Sequence, residues 1–294
     1  MGEVGDPNTE AYRIVEPVGP AGPLVFASPH SGTGRPADMG VAPLDELSLR
    51  SAEDAFVDRL IRPGADYGAR LILANVSRAY VDLNRAPDDL DPELVEGCDA
   101  RSPSAKARAG YGVIPRLSGD GRALYDRRLA RAEAEGRIER VHAPYHAALA
   151  AMMEDARTRT DQAVLVDWHS MPGRASAGPK GGRGVDVVLG DRHGAACRGR
   201  LSRRLRALFE AEGLTVALNH PYPGGYSTAL WGRPDEGYQA VQVEISRALY
   251  LDEATLTPGP GYDRTARMLE RVIRGLAAED WTGGQEKSRA RGRG

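Results

Sequence analysis

Short apolar runs, separated by longer polar stretches, are the feature that most constrains how this chain can fold. Such runs are typical of buried strands, and strands that alternate with helical stretches are typical of a protein built on one α/β sheet. The apolar runs lie at residues 24–27, 71–74, 163–166, 185–189, 215–218 and 240–243. The pattern therefore predicts an α/β fold.

The stretches between the runs predict helices where apolar residues recur every three or four positions. We expect these helices at residues 44–61, 119–135, 144–159, 195–212 and 263–278. Residues 85–112 have no such period, so they predict a long loop of the kind that is often functional. No Pro/Ser-rich linker divides the chain, so we expect one domain over residues 1–281, followed by a disordered basic tail over residues 282–294.

Polar residues capable of chemistry follow the apolar runs. In open α/β sheets, the active site lies in the crevice beyond the carboxyl ends of the strands. One polar ending is weak support, because every strand must end in something polar, but several together indicate a single active site. The residues at these endings are His30, Arg78, His169, His193, His220 and Glu244.

Two of these endings predict a metal site. Two His and a carboxylate are a common ligand set for catalytic zinc, whereas a lone His at a strand end is more often simply hydrogen-bonded. The pair His30 and His169 therefore predicts metal ligation. Neighbouring positions on the predicted helix 44–61 project about 100° apart, so only one of Glu53 and Asp54 can face the crevice. A solvated acidic helix face is the alternative, and the third ligand stays open at this point.

Glu244 lies inside an apolar strand pattern, Val-Glu-Ile-Ser-Arg. Burying a carboxylate is unfavourable unless it is paired or acts as an acid or base with a raised pKa. A structural pair with Arg247 is one interpretation. The other is a general base that takes a proton from water and returns it to a leaving nitrogen.

Basic residues near the second apolar run predict an anion site. Arg78 and the segment Val81-Asp82-Leu83-Asn84-Arg85 place two guanidiniums and an amide near the same strand end, and Arg binds carboxylates in a bidentate way. An internal pair between Asp82 and an arginine is the alternative. The Gly/Pro-rich segment 219–226, which ends at Tyr226, can line a pocket or form a plain turn.

Composition excludes several classes of protein. The formal net charge of −2 argues against a general nucleic-acid binder, whose affinity depends on neutralising phosphates. No apolar run reaches the ~18–20 residues needed to cross a bilayer, and the acidic N-terminus does not fit a signal peptide, so we expect no membrane partner. Two cysteines are too few for a disulfide scaffold, so we expect the protein to be located in the reducing cytoplasm. The oligomeric state stays open.

Taken together, the motifs resemble the N-formylglutamate amidohydrolase family, which is similar to the zinc carboxypeptidase and aspartoacylase group. The resemblance covers about residues 24–251. It rests on Pro29-His30-Ser31-Gly32, Ser77-Arg78, Asp82-Leu83-Asn84-Arg85, Asp167-Trp168-His169-Ser170, Asn219-x-Pro-Tyr222-x-Gly-Gly-Tyr226 and Val243-Glu244-Ile245.

The resemblance implies a fold and a set of roles. The expected fold is a three-layer, phosphorylase/hydrolase-like α/β/α domain with a mixed, mostly parallel central sheet. The expected cofactor is one zinc ion. By resemblance, His30 and His169 are zinc ligands, Glu244 is the general base, Arg78 polarises the scissile carbonyl, and Asn84, Arg85 and Tyr226 bind the substrate.

The sequence departs from the carboxypeptidase pattern at one ligand. That group has His-x-x-Glu, but Thr33 stands three residues after His30. The carboxylate must therefore come from elsewhere, and Asp54 is the first choice, with Glu53 the second.

The function implied by the resemblance is hydrolysis of N-formyl-L-glutamate, a small acidic N-acyl amino acid, to formate and L-glutamate in histidine breakdown. Hydrolysis of another N-acyl amino acid by the same chemistry is one alternative. A binding module that keeps the fold without turnover is another, and it predicts the loss of a ligand or of the general base.

Overall fold

The computed structural model describes residues 10–40, 42, 44–98, 103–176 and 184–281. The tail expected over residues 282–294 lies outside the described residues. Within the part of the chain that the structure describes, no helix is both long and apolar enough to cross a membrane.

A mixed seven-stranded sheet forms the centre of the fold, in the order β1-β3-β2-β4-β7-β5-β6. Strands β3, β2, β4 and β7 run parallel, β1 pairs antiparallel with β3 at one edge, and β5 pairs antiparallel with β7. Strand β6 is parallel to β5, and β8 and β9 form a separate small pair. The strands are β1 (Tyr12–Val15), β2 (Leu24–Ser28), β3 (Arg70–Ala74), β4 (Ala163–Met171), β5 (Val187–Gly190), β6 (Val216–Leu218), β7 (Tyr238–Ser246), β8 (Leu251–Asp252) and β9 (Thr257–Pro258).

Helices cover both faces of the sheet. Helix α5 packs on one face against β2, β3 and β4, while α7 and α9 pack together on the other. The α-helices are α1 (Glu46–Arg50), α2 (Val57–Leu60), α3 (Ala105–Arg108), α4 (Arg131–Arg137), α5 (Ala143–Thr160), α6 (Gly173–Ser176), α7 (Gly199–Ala211), α8 (Tyr226–Trp231) and α9 (Tyr262–Ala277). A π-helical turn, Ile138–His142, joins α4 to α5.

The alternation of side chains along each strand explains the two cores. On β2, Val25 and Ala27 face the α5 side, whereas Leu24 and Phe26 face the α7 and α9 side. All five residues of β2 are buried, which is why the sequence shows a continuous apolar run there rather than an alternating one. The prediction of a three-layer α/β fold with a mixed, mostly parallel sheet is confirmed.

Two predicted helices are wrong in part. The helix expected at 44–61 is two short helices, α1 and α2, joined by a non-helical segment that ends at Phe56, whose φ is 64°. The helix expected at 119–135 exists only as α4, because the chain first makes a tight turn closed by the Ser118 N–H on the Arg122 carbonyl. Gly121, at φ 85°, permits that turn.

The strands β4 and β7 are longer than the apolar runs that predicted them. Each spans nine buried residues and includes Asp167 and His169 on β4 and Gln242 and Glu244 on β7. Polar side chains ended the predicted strands early, although the backbone continues in the sheet beyond them. The functional side chains are therefore carried on rigid strands rather than on the loops that follow.

Candidate active site

Four polar side chains form a block at the carboxyl ends of β4 and β7. In the parallel register, His169 is opposite Glu244, and Asp167 is opposite Gln242. Alternate residues on a strand share a face, and directly paired residues on neighbouring strands point the same way. All four side chains therefore lie on the same face of the sheet, with His169 and Glu244 at its outer end.

Asp54 reaches this block from the segment between α1 and α2. Its backbone N–H donates to the His30 carbonyl, with an N to O distance of 3.0 Å. Ser170 Oγ donates to Asp54 Oδ1 at 2.9 Å, and Arg247 Nη2 lies 3.3 Å from the same oxygen. The other oxygen, Oδ2, lies 3.0 Å from His169 Nδ1 and 3.4 Å from His30 Nδ1. Asp54 is therefore fixed with one oxygen free to face the two imidazoles.

His30, Asp54 and His169 form a compact cluster that can hold a metal ion. All three are buried, and one potential ligand atom from each lies within 4.8 Å of the others. Glu53 is not part of the cluster, because its carboxylate is paired with Arg50 Nε at 2.6 Å. Of the two candidate carboxylates, the structure thus brings Asp54, and not Glu53, to the pair of histidines.

A second carboxylate lies behind each imidazole. Asp82 Oδ1 is 2.7 Å from His30 Nε2, and Asp167 Oδ2 is 3.0 Å from His169 Nε2. For His30, the hydrogen bond with Asp82 favours the tautomer that carries its proton on Nε2, which leaves Nδ1 directed at the cluster. Asp82 also accepts a hydrogen bond from Arg78 Nη2 at 2.7 Å. The internal pair between Asp82 and an arginine, given above as the alternative, therefore exists, and the same carboxylate contacts His30 as well.

The arrangement of lone pairs fits a cation. Nδ1 of His30 and Nδ1 of His169 lie 3.1 Å apart, and both face Oδ2 of Asp54, so the three potential ligand atoms are close enough together to share one cation. Burial by itself raises the pKa of Asp54, but its hydrogen bonds with His169 and His30 outweigh burial and hold the pKa well below its ordinary value. Two imidazole nitrogens and one carboxylate oxygen are also the donor set that catalytic zinc uses. The residues present therefore fit a zinc ion.

Glu244 lies beside the cluster as a buried carboxyl group. Burial raises its pKa to about 7, and the nearby His169 and the Gln242 hydrogen bond lower it less than burial raises it. The interpretation in which Arg247 neutralises Glu244 is not what the geometry shows. Arg247 Nε donates to Ser170 Oγ at 3.0 Å, and its Nη2 lies 3.3 Å from Asp54 Oδ1, so this guanidinium helps to position Asp54 instead.

Five arginine and lysine side chains line the same cavity: Arg78, Arg85, Lys106, Arg174 and Arg247. Arg78 is held by Asp82, whereas Arg85 donates only to carbonyl oxygens, including that of Tyr111 at 3.0 Å. Lys106, on α3, lines the cavity too, and burial together with Arg85 and Arg78 lowers its pKa. Among the described residues, neither Arg85 nor Lys106 forms an ion pair with a carboxylate, so both positive charges are available to an anion.

Lys106 was missed in the sequence. The only signal was its place in the long loop predicted at residues 85–112, which the structure interrupts with α3. The cavity that these residues line has a volume of about 590 Å³. Its lining includes His30, Asp54, Arg78, Asn84, Arg85, Lys106, Tyr111, His169, Tyr222, Gln242, Glu244 and Arg247.

Asn84 connects the cluster to the basic part of the cavity. Its Nδ2 lies 3.1 Å from His169 Nε2, and its Oδ1 accepts the Ser227 N–H at 3.0 Å. A Cβ added to Gly225 would overlap the Asn84 amide, which explains why glycine stands there. The structure thus places Asn84 between His169 and the start of α8.

Tyr226 occupies a different position from the one expected of a substrate-binding residue. Its ring packs beside His142, with centroids 5.8 Å apart, and beside His146, with centroids 5.1 Å apart. Tyr226 is the first residue of α8. It is not one of the described residues that line the cavity.

Comparison with known proteins identifies the family of this chain. Residues 22–251 match the model of the N-formylglutamate amidohydrolase family. The chain belongs to this family. This amidohydrolase is 31% identical over 237 residues to an N-formylglutamate deformylase of Pseudomonas aeruginosa, covering 79% of this chain and 83% of that protein. It is 30% identical to an N-formylglutamate deformylase of Pseudomonas putida, covering 79% and 82% of the two chains.

Solved structures share the fold of this amidohydrolase. The crystal structure of N-formylglutamate amidohydrolase from Ralstonia eutropha JMP134 has a TM-score of 0.85 and 37% identity, covering 91% of this chain and 97% of that one. A gene product of Agrobacterium tumefaciens has a TM-score of 0.63 at 19% identity, with 91% and 95% of the chains covered, which shows the fold alone. The predicted family is confirmed, and the enzyme is a hydrolase of a C–N amide bond.

Proposed function

We propose that this amidohydrolase hydrolyses N-formyl-L-glutamate to formate and L-glutamate, with one zinc ion per chain as cofactor. One observation carries the proposal: a single cavity joins the buried His30, Asp54 and His169 cluster to Glu244 and to basic side chains, Arg85 and Lys106 among them, that have no carboxylate partner in the part of the chain that the structure describes. A hydrolytic centre next to unpaired positive charge fits a small anionic amide.

Zinc, when bound by His30, Asp54 and His169, supplies Lewis acidity that makes a water molecule acidic near neutral pH and polarises a carbonyl. Asp82 holds the His30 imidazole with Nδ1 directed at the cluster, and the Asp167 carboxylate lies 3.0 Å from Nε2 of the His169 imidazole. Arg247 and Ser170 hold Asp54 in place. The chain thus supplies three ligands whose orientation is fixed before any ion binds.

Glu244 is the general base in this mechanism. Its pKa of about 7 allows the carboxylate to take a proton from the attacking water near neutral pH and to release it again. The oxygen of that water adds to the formyl carbon, and Glu244 returns the proton to the amide nitrogen as the C–N bond breaks. Formate and the free amino group of L-glutamate result, so atoms and charges balance.

Arg78 stabilises the carbonyl oxygen as it gains negative charge. Its guanidinium lines the cavity and is held there by Asp82, which also holds His30. One well-placed donor to a developing oxyanion is worth about 3–4 kcal/mol in comparable hydrolytic sites. Asp82 therefore couples the position of this donor to the position of a metal ligand.

Arg85 and Lys106 offer one positive charge to each of the two carboxylates of the substrate. We assign one carboxylate to Asn84 and Arg85, whose amide and guanidinium offer several donors in one place. We assign the other to Lys106. Tyr226 contributes to substrate binding indirectly, through His142 and His146, against which its ring packs, rather than by lining the cavity.

The test is formate release from N-formyl-L-glutamate, with N-acetyl-L-aspartate as the comparison substrate. Each is assayed with the zinc-loaded enzyme, after chelation, and after zinc is returned. We expect release from the formyl substrate, its loss on chelation and its recovery with zinc. Release from the acetyl substrate instead would favour a different N-acyl amino acid, and no release from either would favour a binding module.

We further propose that the enzyme acts in histidine breakdown in the cytoplasm and that residues 1–281 form a single catalytic domain. Trp281 supports this boundary, because its buried indole donates to the Leu276 carbonyl at 3.0 Å and so packs against α9. A chain ending at residue 281 is expected to keep its kcat/KM within about two-fold. A large loss would show that the basic tail contributes to the site.

A further inference from the structure

A tight turn carries three residues of the site. The Arg85 N–H donates to the Asp82 carbonyl at 3.3 Å, and the Asn84 N–H donates to Asp82 Oδ1 at 2.9 Å. From this turn, Asp82 reaches His30, Asn84 reaches His169, and Arg85 lines the cavity. The position of this turn therefore determines where the proposed carboxylate-binding groups lie.

Two histidines outside the cavity bind this turn through its backbone. His146 Nε2 lies 2.8 Å from the Leu83 carbonyl oxygen, and His142 Nε2 lies 2.9 Å from the Arg85 carbonyl oxygen. The two carbonyls flank Asn84 on either side. Because a carbonyl oxygen only accepts, each imidazole must donate from Nε2.

Local helix geometry brings the two imidazoles together. His142 ends the π-helical turn, and His146 is one turn further on, in α5, so both project on the same side. Their ring centroids are 4.3 Å apart, and Tyr226 packs against both. The rings therefore have little freedom to turn away from the carbonyls.

Both imidazoles are neutral donors at neutral pH. Burial lowers the pKa of His142, and burial together with the adjacent His142 lowers the pKa of His146 to about 4. Each ring then carries one proton, which the carbonyl acceptor holds on Nε2. Two neutral rings can stack closely, whereas two charged ones would repel each other.

We propose that His142 and His146 act as positioning residues that fix the turn at residues 82–85 and thereby set the affinity of the enzyme for its carboxylate substrate. The inference rests on the proposed function in assigning Asn84 and Arg85 to a substrate carboxylate. The two side chains touch neither substrate nor the metal cluster. Their effect is transmitted through the carbonyls of Leu83 and Arg85.

The experiment compares variants that keep or remove the Nε2 donor. His142→Leu and His146→Leu remove it, whereas His142→Gln and His146→Gln keep an N–H donor at nearly the same reach. Glu154→Gln is the matched control, because it replaces the charged acceptor of the Tyr238 hydroxyl on the same helix with a neutral amide oxygen and does not touch the turn. For each variant, kcat, KM, bound zinc and amide hydrogen exchange of residues 81–86 are measured.

We expect the Leu variants to raise KM for N-formyl-L-glutamate about ten-fold, with kcat within about three-fold and zinc content unchanged. Exchange at residues 81–86 should become faster in the same variants. The Gln variants should return both KM and exchange close to the values of the unmodified enzyme. Glu154→Gln should leave both unchanged.

Two results would overturn the inference. One is a Leu variant with unchanged KM and exchange, and the other is a Gln variant as impaired as its Leu counterpart, since packing rather than the donor would then matter. Failure of the proposed function looks different. The unmodified enzyme would then not hydrolyse N-formyl-L-glutamate, while hydrogen exchange would still show whether the two histidines hold the turn.

Discussion

Gln242 Nε2 donates a hydrogen bond of 2.7 Å to Oε1 of Glu244, two residues further along β7. Because alternate residues on a strand share a face, this bond is built into the strand and fixes the direction of the carboxylate. The bond also favours the charged form of Glu244, whereas burial opposes it and raises its pKa to about 7. Gln242 is therefore expected to tune the base as well as to orient it.

The pH dependence of the enzyme should report this balance. The base acts as a carboxylate, so kcat/KM should fall as the pH drops below about 7. In Gln242→Met the bond that favours the carboxylate is lost, so the acidic limb should move to higher pH. Gln239→Met, on the same strand but bonded to Gln162, is the control and should not move the limb. A shift to lower pH in Gln242→Met would contradict this role.

Replacing the base should separate catalysis from metal binding. Glu244→Gln keeps the shape and the hydrogen-bonding reach of the side chain but cannot accept the proton from water. We expect kcat to fall about 10²–10⁴-fold, the range for a lost general base. Zinc content, measured by atomic absorption, should equal that of the unmodified enzyme. A parallel loss of zinc would instead indicate that Glu244 is a zinc ligand.

The central layer of the fold was predictable because its strands are buried on both faces and so appear as unbroken apolar runs. The sequence was less informative where packing overrides periodicity. The apolar residues at 44–61 fit a helix, but the backbone bond from Asp54 to His30 and the positive φ of Phe56 divide it. Strand β1 lies at the edge with exposed residues between its ends, so no apolar run indicated it.

The site was predictable where chemistry and strand endings coincide, as for His30 and His169. Asp54 and Glu53 were not separable from sequence, because the choice depends on the non-helical path between α1 and α2. Asp167 gave no signal of its own, since its contact with His169 depends on how both side chains project from the sheet. Lys106 reaches the cavity only because α3 folds back toward Arg85.

The assignment of the third ligand can be tested directly. Asp54→Asn removes the charge that faces both imidazoles, so zinc affinity should fall by at least about 100-fold. Replacing a residue that only hydrogen-bonds to a metal ligand already lowers metal affinity by about 10–100-fold. Glu53→Gln is the matched control, because its carboxylate is paired with Arg50 outside the cluster, and it should keep its zinc. Competition with a chelating dye measures the zinc affinity of both variants. Zinc loss from Glu53→Gln alone would reverse the assignment.

Arg85 should affect substrate binding more than turnover. Its guanidinium donates to carbonyl oxygens of Tyr111 and Asn84, which leaves its charge available to a carboxylate. We expect Arg85→Ala to raise KM for N-formyl-L-glutamate about 10–100-fold, with a smaller fall in kcat. Steady-state kinetics at saturating zinc provide both constants. A fall in kcat at constant KM would place Arg85 at the scissile carbonyl instead.

Lys106 should discriminate between substrates that differ in one charge. N-formyl-L-glutamine has nearly the shape of N-formyl-L-glutamate but carries a neutral amide in place of the side-chain carboxylate. If Lys106 binds that carboxylate, Lys106→Met should raise KM for the glutamate substrate about ten-fold and leave KM for the glutamine substrate within about two-fold. Lys106→Arg keeps the charge and should recover most of the lost affinity for the glutamate substrate. Equal increases for both substrates would mean that Lys106 supports the cavity without binding the side-chain carboxylate, and the assignment of that carboxylate to Lys106 would then be withdrawn.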